Sequence, residues 1–184
     1  MVNWLRSDCE EATMSIGNHC EIERKYLIRY PDTEKLSTAP DCEIWEITQI
    51  YLKDGEHGQT RRVRKLRVNG EWKYFRTFKQ RLSSLTCIED EGEITEEEYE
   101  SYCKERDPRR LPIHKTRYRV PWRGHMLEYD IYPFWQDRAI LEIELESETE
   151  EPDIPADVQI IRDVTGEKAY KNKQLALSVP MEDI

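Results

Sequence analysis

The sequence has no stretch near the roughly 20 apolar residues that a bilayer-spanning helix needs, and its start, MVNWLRSDCEEA, lacks a basic region followed by an apolar core. A membrane-spanning or exported protein is not expected, and a cytoplasmic one is. Cysteine and histidine are scattered. Cys9, Cys20, Cys42, Cys87 and Cys103 are odd in number and form no CxxC pair, and His19, His57, His114 and His125 show no zinc-ligand spacing. That argues for reduced thiols and against a disulfide framework or a zinc centre. Internal repeats and low-complexity linkers are also missing. One domain is therefore expected for 184 residues, at 19–184, with an extension of uncertain order at 1–18. Finally, the chain has no positive excess. A formal net charge of −10 disfavours nucleic acid or acidic membrane surfaces as partners and leaves small anions as ligands of a local basic pocket.

What the chain has is charge of both signs, 36% of residues against 38% hydrophobic, where about a quarter is usual. Much of it alternates along β-prone runs. Asn69-Gly70 separates two such runs and signals a tight hairpin. A two-residue turn there sets Val68 opposite Glu71, Arg64 opposite Phe75, Arg62 opposite Thr77 and Thr60 opposite Lys79, so Arg62, Arg64 and Lys79 share a face. Thr95 followed by Glu98 is a capping box opening a helix that Pro108 is expected to end. HKTRYRVPW, HMLEYDIY and RAILEIELES read as further strands, and the segment from Glu150 to Ala176 as a Pro-bounded loop, a short amphipathic helix and a tail. The expected fold is mainly β with α: about eight antiparallel strands closed into a barrel with peripheral helices, because closure removes exposed edges.

Side chains alternate across a strand, so Glu21, Glu23 and Lys25 point one way while Ile22, Arg24 and Tyr26 point the other. The same rule groups Glu89, Glu91 and Glu93; Lys115, Arg117 and Arg119; Glu128 and Asp130; and Glu142, Glu144 and Glu146. A solvated face accounts for any one of these. Segregated acidic and basic triads on successive strands point instead to an enclosed site with zones. Desolvating such charges costs several kcal/mol per ion unless they compensate one another. A polyanion carrying a divalent cation suits both zones, since Arg and Lys neutralise phosphate oxygens and carboxylates hold Mg²⁺ or Mn²⁺.

Over about residues 19–176 these motifs, in this order, resemble the CYTH superfamily of triphosphate tunnel metalloenzymes, bacterial inorganic triphosphatases included. The matching pieces are ExExK at Glu21–Lys25, RxR at Arg62–Arg64, TxK at Thr77–Lys79, ExE at Glu89–Glu91, then KTRY, LEYD, LEIELE and VTGEKAYKNKQLA. The resemblance implies a barrel that takes a triphosphate end-on, with a C-terminal helix near one mouth. It implies a phosphate-binding set of Lys25, Arg62, Arg64, Lys79, Lys115 and Arg117, and a metal set of Glu21, Glu23, Asp130, Glu142 and Glu144. Catalysis would fall to Lys25, Glu23 and Asp130, with Lys25 helping the departing phosphate and Asp130 holding a second metal or orienting water. Glu89 and Glu91 match acidic positions without a settled role, and Glu128 is either a ligand or the partner of a nearby base. Cys87 and Ala169 stand where relatives often carry basic residues, with Lys168 next to the second. The implied activity is hydrolysis of inorganic tripolyphosphate, or another small-molecule triphosphate, to pyrophosphate and phosphate by a monomer or homodimer. The rivals are a class IV-like adenylate cyclase, whose His-Phe pair is missing from SIGNHC ahead of Glu21, and a binding module without turnover.

Overall fold

Polar–apolar alternation folds the chain into one antiparallel sheet. The computed structural model describes residues 22–81, 87–147 and 149–184. Its strands are β1 (Ile22–Arg29), β2 (Glu43–Tyr51), β3 (Thr60–Val68), β4 (Glu71–Arg81), β5 (Cys87–Ile94), β6 (Ile113–Trp122), β7 (His125–Ile131), β8 (Arg138–Leu145) and β9 (Ile160–Asp163). They lie in the order β5-β4-β3-β2-β6-β7-β8-β1-β9. Helices α1 (Thr33–Ser37), α2 (Glu96–Cys103) and α3 (Asn172–Leu175) are short. Among the described residues no helix is long and apolar enough to cross a membrane.

The β3–β4 hairpin has the register expected from Asn69-Gly70: Val68 faces Glu71, Arg64 faces Phe75, Arg62 faces Thr77 and Thr60 faces Lys79. Both turn residues have positive φ, 53° at Asn69 and 87° at Gly70, the backbone that Asn-Gly adopts most readily. The capping box also forms, with Glu98 N donating to Thr95 Oγ1 and Thr95 N to Glu98 Oε2. Helix α2 nevertheless stops at Cys103, ahead of Pro108.

Two expectations need correction. The sheet has nine strands rather than eight, and it is not closed into a barrel: among the described residues no ladder joins β5 to β9. The ninth strand is the reason. β9 pairs with β1 at Tyr26–Ile28, and Val164 N continues the contact to Lys25 O. It thereby fills the edge that closure would need. The C-terminal segment, read as loop, helix and tail, thus also holds a strand after its loop; the four strand residues between Pro155 and Gly166 are too few to show a period.

The open sheet is strongly curled. Leu27 on β1, Tyr51 on β2, Ile113 on β6 and Ile140 on β8 meet in one apolar cluster with Tyr132, Trp135, Val164, Tyr170, Leu175 and Ala176, although β1 and β2 are separated by three strands. That cluster seals one end of the concave face, where α3 packs. A second cluster covers the convex face: Tyr26, Ile28, Val120, Leu127, Tyr129, Ala139, Leu141, Ile143 and Leu145 pack against Leu36 and Ala39, on and beside α1. At roughly 1.5–3 kcal/mol for each buried aliphatic side chain, this outer layer carries much of the stability and leaves the inner face to charge.

Candidate active site

The concave face collects the alternate residues of β1–β8. Lys25, Gln49, Thr77, Lys115, Asp130 and Glu142 are all buried there. The sequence-level alternation explains how: on β8, Leu141, Ile143 and Leu145 belong to the outer apolar layer, so Glu142 and Glu144 must face inward.

Ion pairs organise the pocket. Lys25 Nζ lies 2.7 Å from Glu142 and 3.7 Å from Glu23. Asp130, with 0% exposure, is held by Lys115 and receives Arg117 Nε at 2.6 Å and Nη2 at 2.8 Å. Arg117 also reaches Glu142, at 2.5 Å, and Glu128. Arg119 bridges Glu128 at 3.0 Å and Glu43 at 2.6 Å. Across the face, Arg64 donates to both oxygens of Glu91 at 2.8 Å, Thr77 donates to Glu91 at 2.5 Å, and Arg62 Nη2 stands 3.8 Å from it. Glu128, left open between ligand and partner, is here the partner of Arg117 and Arg119.

Protonation follows from these pairings. Burial alone would depress Lys25, but Glu142 and Glu23 outweigh it and hold its pKa above the ordinary lysine value. Burial would raise the Glu142 carboxyl, yet Lys115, Lys25 and Arg117 keep it well below the usual range. Lys115 is the exception: burial and the neighbouring Arg117 prevail over Asp130 and Glu142 and lower it. Burial would also raise Glu91, but Arg64, Thr77, Arg62 and Lys79 bring it down. The pocket is therefore an interlocked set of charges in which burial and Arg117 work against the charged form of Lys115 even though Asp130 pairs with it.

The expected site residues whose side chains are described share this face. Glu23 and Glu144, cross-strand partners, stand exposed at the open end. Glu21 and the side chain of Glu89 lie outside the described residues, as does that of Cys87. Lys168 and Ala169 are exposed beside the sealed end. Sequence reasoning left Gln49 out of the site set. It is buried, donates to Tyr51 Oη at 2.7 Å and accepts from Arg62 at 3.5 Å. Arg119 and Glu43 were likewise outside the site set; the parity of β2 and β6 was the available signal for all three.

Among the described residues no group of three His, Cys, Asp or Glu side chains is arranged to hold a metal ion. The donor set still fits a hard cation. Two like charges directly opposite on adjacent strands, Glu23 and Glu144, destabilise one another, and Mg²⁺ is commonly held by one or two carboxylates completed by substrate phosphates and water.

The family model for the CYTH domain matches residues 19–177. The chain belongs to the CYTH family. An inorganic triphosphatase of Nitrosomonas europaea is 30% identical to this CYTH chain over 165 residues, 87% of the chain and 99% of the relative. A crystal structure described as that of an inorganic triphosphatase superposes with a TM-score of 0.54 at 28% identity, covering 87% of this chain and 96% of its own. A Pyrococcus horikoshii protein shares the CYTH fold at 20% identity and a TM-score of 0.50, over 70% of this chain and 80% of its own.

Proposed function

We propose that the chain is a divalent-metal-dependent triphosphatase that splits inorganic tripolyphosphate into pyrophosphate and phosphate. The observation that carries the reading is the cationic set of buried Lys25 and Lys115 with part-buried Arg117, held on a concave face by carboxylates that a phosphate chain can replace. The likeness to an inorganic triphosphatase at 30% identity supports the same substrate.

In this reading Lys25, Arg62, Arg64, Lys79, Lys115 and Arg117 grip the phosphate oxygens. Each close contact contributes up to roughly 4 kcal/mol at an effective dielectric near 20. The arriving anion takes over the cations now neutralised by Asp130, Glu142 and Glu91, and these carboxylates are released for other work. Glu23 and Glu144, with Glu21 and the released Glu142 and Asp130, would hold Mg²⁺ or Mn²⁺. When bound, the cation neutralises charge on the transferring phosphoryl group and readies water for attack. Lys25 neutralises the departing phosphate, and Asp130 orients the attacking water. No covalent nucleophile is needed, because phosphoryl transfer depends on positioning and charge stabilisation. The test is phosphate release from tripolyphosphate, ATP and thiamine triphosphate with Mg²⁺, with Mn²⁺ and with chelator. Release that stops on chelation is expected; no release from any of them under either metal would sink the proposal.

A further inference from the structure

Lys25, which grips phosphate oxygens and neutralises the departing phosphate in the reading above, sits beside the point where β9 runs out. Its cross-strand neighbour on β8 is Glu142, and on the other side β9 pairs with β1 only as far as Tyr26 opposite Asp163. One step further along that ladder, Lys25 and Val164 would exchange two main-chain hydrogen bonds. Half of the exchange forms: Val164 N donates to Lys25 O at 2.9 Å. The other half does not, because Val164 O is turned away and accepts from Glu167 N at 3.0 Å, closing a turn in which Gly166 has a φ of 77°.

A side chain supplies the missing acceptor. Lys25 N donates to Thr165 Oγ1 at 2.9 Å, and the same hydroxyl donates to Lys25 O at 3.4 Å. A hydroxyl carries one proton and two lone pairs, so it can serve both groups. Thr165 is itself held, its N donating to Asp163 Oδ1 at 2.7 Å in the turn that Asp side chains commonly make with the residue two further on. Asp163 also takes Arg24 Nη1 at 3.4 Å. With its main-chain groups committed to this turn, Lys25 forms a non-hydrogen-bonded pair with Glu142, the arrangement that brings facing side chains closest, and Lys25 Nζ is 2.7 Å from Glu142. By contrast, Arg62, Arg64, Lys79 and Arg117 are paired by strand ladders on both sides.

Resting on the triphosphatase reading, we infer that Thr165 is a positioning residue that sets Lys25 for phosphoryl transfer. Thr165 does not touch the reacting groups; its hydroxyl fixes the main chain from which the Lys25 side chain reaches inward. Without that hydroxyl, Lys25 N loses this partner, and Val164 N alone ties Lys25 to the turn. Misplacing a catalytic group by about 1 Å can cost about a hundredfold in rate, and the surviving bond limits the shift to part of that. Charge on the departing phosphate develops in the transition state and falls to Lys25, whereas binding is shared among the whole cationic set. Loss of the hydroxyl should therefore act on kcat more than on KM.

The test is a double-mutant cycle. kcat and KM for tripolyphosphate with Mg²⁺ are measured for the wild type, Thr165→Val, Thr165→Ser, Lys25→Met and the Lys25→Met/Thr165→Val pair, with Tm to confirm folding. Thr165→Val keeps the β-branched shape and is expected to lower kcat about tenfold while raising KM no more than about threefold. Thr165→Ser keeps the hydroxyl and should hold kcat within about twofold of the wild type. In the Lys25→Met background, Thr165→Val should change kcat by less than about twofold, because the group it positions is gone. A kcat for Thr165→Val within about twofold of the wild type, or an equal fall in both backgrounds, would overturn the inference and leave the triphosphatase reading standing. Where turnover is too slow to measure, the same cycle is read by calorimetry as Kd for tripolyphosphate in chelator. A weakening of about threefold that vanishes in the Lys25→Met background then supports the clamp, and an additive or absent effect rejects it. Absence of turnover in the wild type counts against the hydrolytic reading alone. Thr165→Ala takes the place of Thr165→Val if that variant does not fold.

Discussion

Replacing Asp130 by Asn tests how the pocket is held together before substrate arrives. Asp130 is fully buried and takes Lys115 and both Arg117 Nε and Nη2. Asn is nearly isosteric, so packing is preserved and the change is one of charge. Removing one partner of a buried ion pair commonly costs about 3–5 kcal/mol, because the remaining charge is left without compensation. Two features place the cost near the lower end: Arg117 keeps Glu142 at 2.5 Å and also Glu128, and Lys115, already lowered by burial and Arg117, can release its proton. A loss of about 3 kcal/mol corresponds to a fall in Tm of roughly 6–12 °C for a domain of this size. The variant pocket also has one carboxylate fewer competing for Lys115 and Arg117, so tripolyphosphate in the presence of chelator should stabilise it more than it stabilises the wild type. Urea unfolding of both proteins, with and without tripolyphosphate, measures the two quantities together. A loss below about 1 kcal/mol, or equal stabilisation of both proteins by the anion, would refute the idea that Asp130 stands in for a phosphate oxygen.

Other outcomes follow from the same structure. Glu144→Gln should raise the Mg²⁺ or Mn²⁺ concentration needed for half-maximal activity, whereas Arg64→Ala should mainly raise KM; a metal titration and a substrate titration on each variant separate the two, and negligible effects of both would mean that neither side chain serves the site. Arg109, through side-chain and backbone hydrogen bonds, holds the Asp107 carboxyl at about 2, below its ordinary 3.8. A depressed carboxyl stabilises the fold above its unfolded pKa, so that contribution should fade as pH falls from about 4 to about 2. Wild type and Asp107→Asn should then differ in urea midpoint at neutral pH and converge in strong acid, and a gap that persists there would contradict the assignment. Thr95→Ala removes the α2 cap and should cost about 1 kcal/mol, read as a few degrees of Tm; helix content by circular dichroism checks that the loss is local.

Much of the inner face was legible in the sequence because strand geometry is a rule of parity. Once Asn69-Gly70 fixed a two-residue turn, the opposition of Arg62 with Thr77 and Arg64 with Phe75 followed from counting, and the observed register agrees. LEIELE gave the rest of the rule: three apolar residues on one face of β8 left Glu142 and Glu144 for the other. Gln49 was legible only as an inward position by the parity of β2; its pairing was not, since a lone glutamine in a strand carries no sign of the Arg62 it will meet on β3.

Local pattern decided which residues share a face, because alternation and turn chemistry act over a few residues. The tertiary structure decided which faces meet. Only the curl of the sheet brings Leu27 and Tyr51 into one cluster from strands far apart in its order. Only the docking of β9 on β1 sets the open edge, through backbone hydrogen bonds that any sequence can make. The balance of charge at Lys115 is likewise a property of the assembled pocket, since Asp130, Arg117 and Glu142 reach it from three strands and electrostatic energy depends on distance and burial rather than on order along the chain.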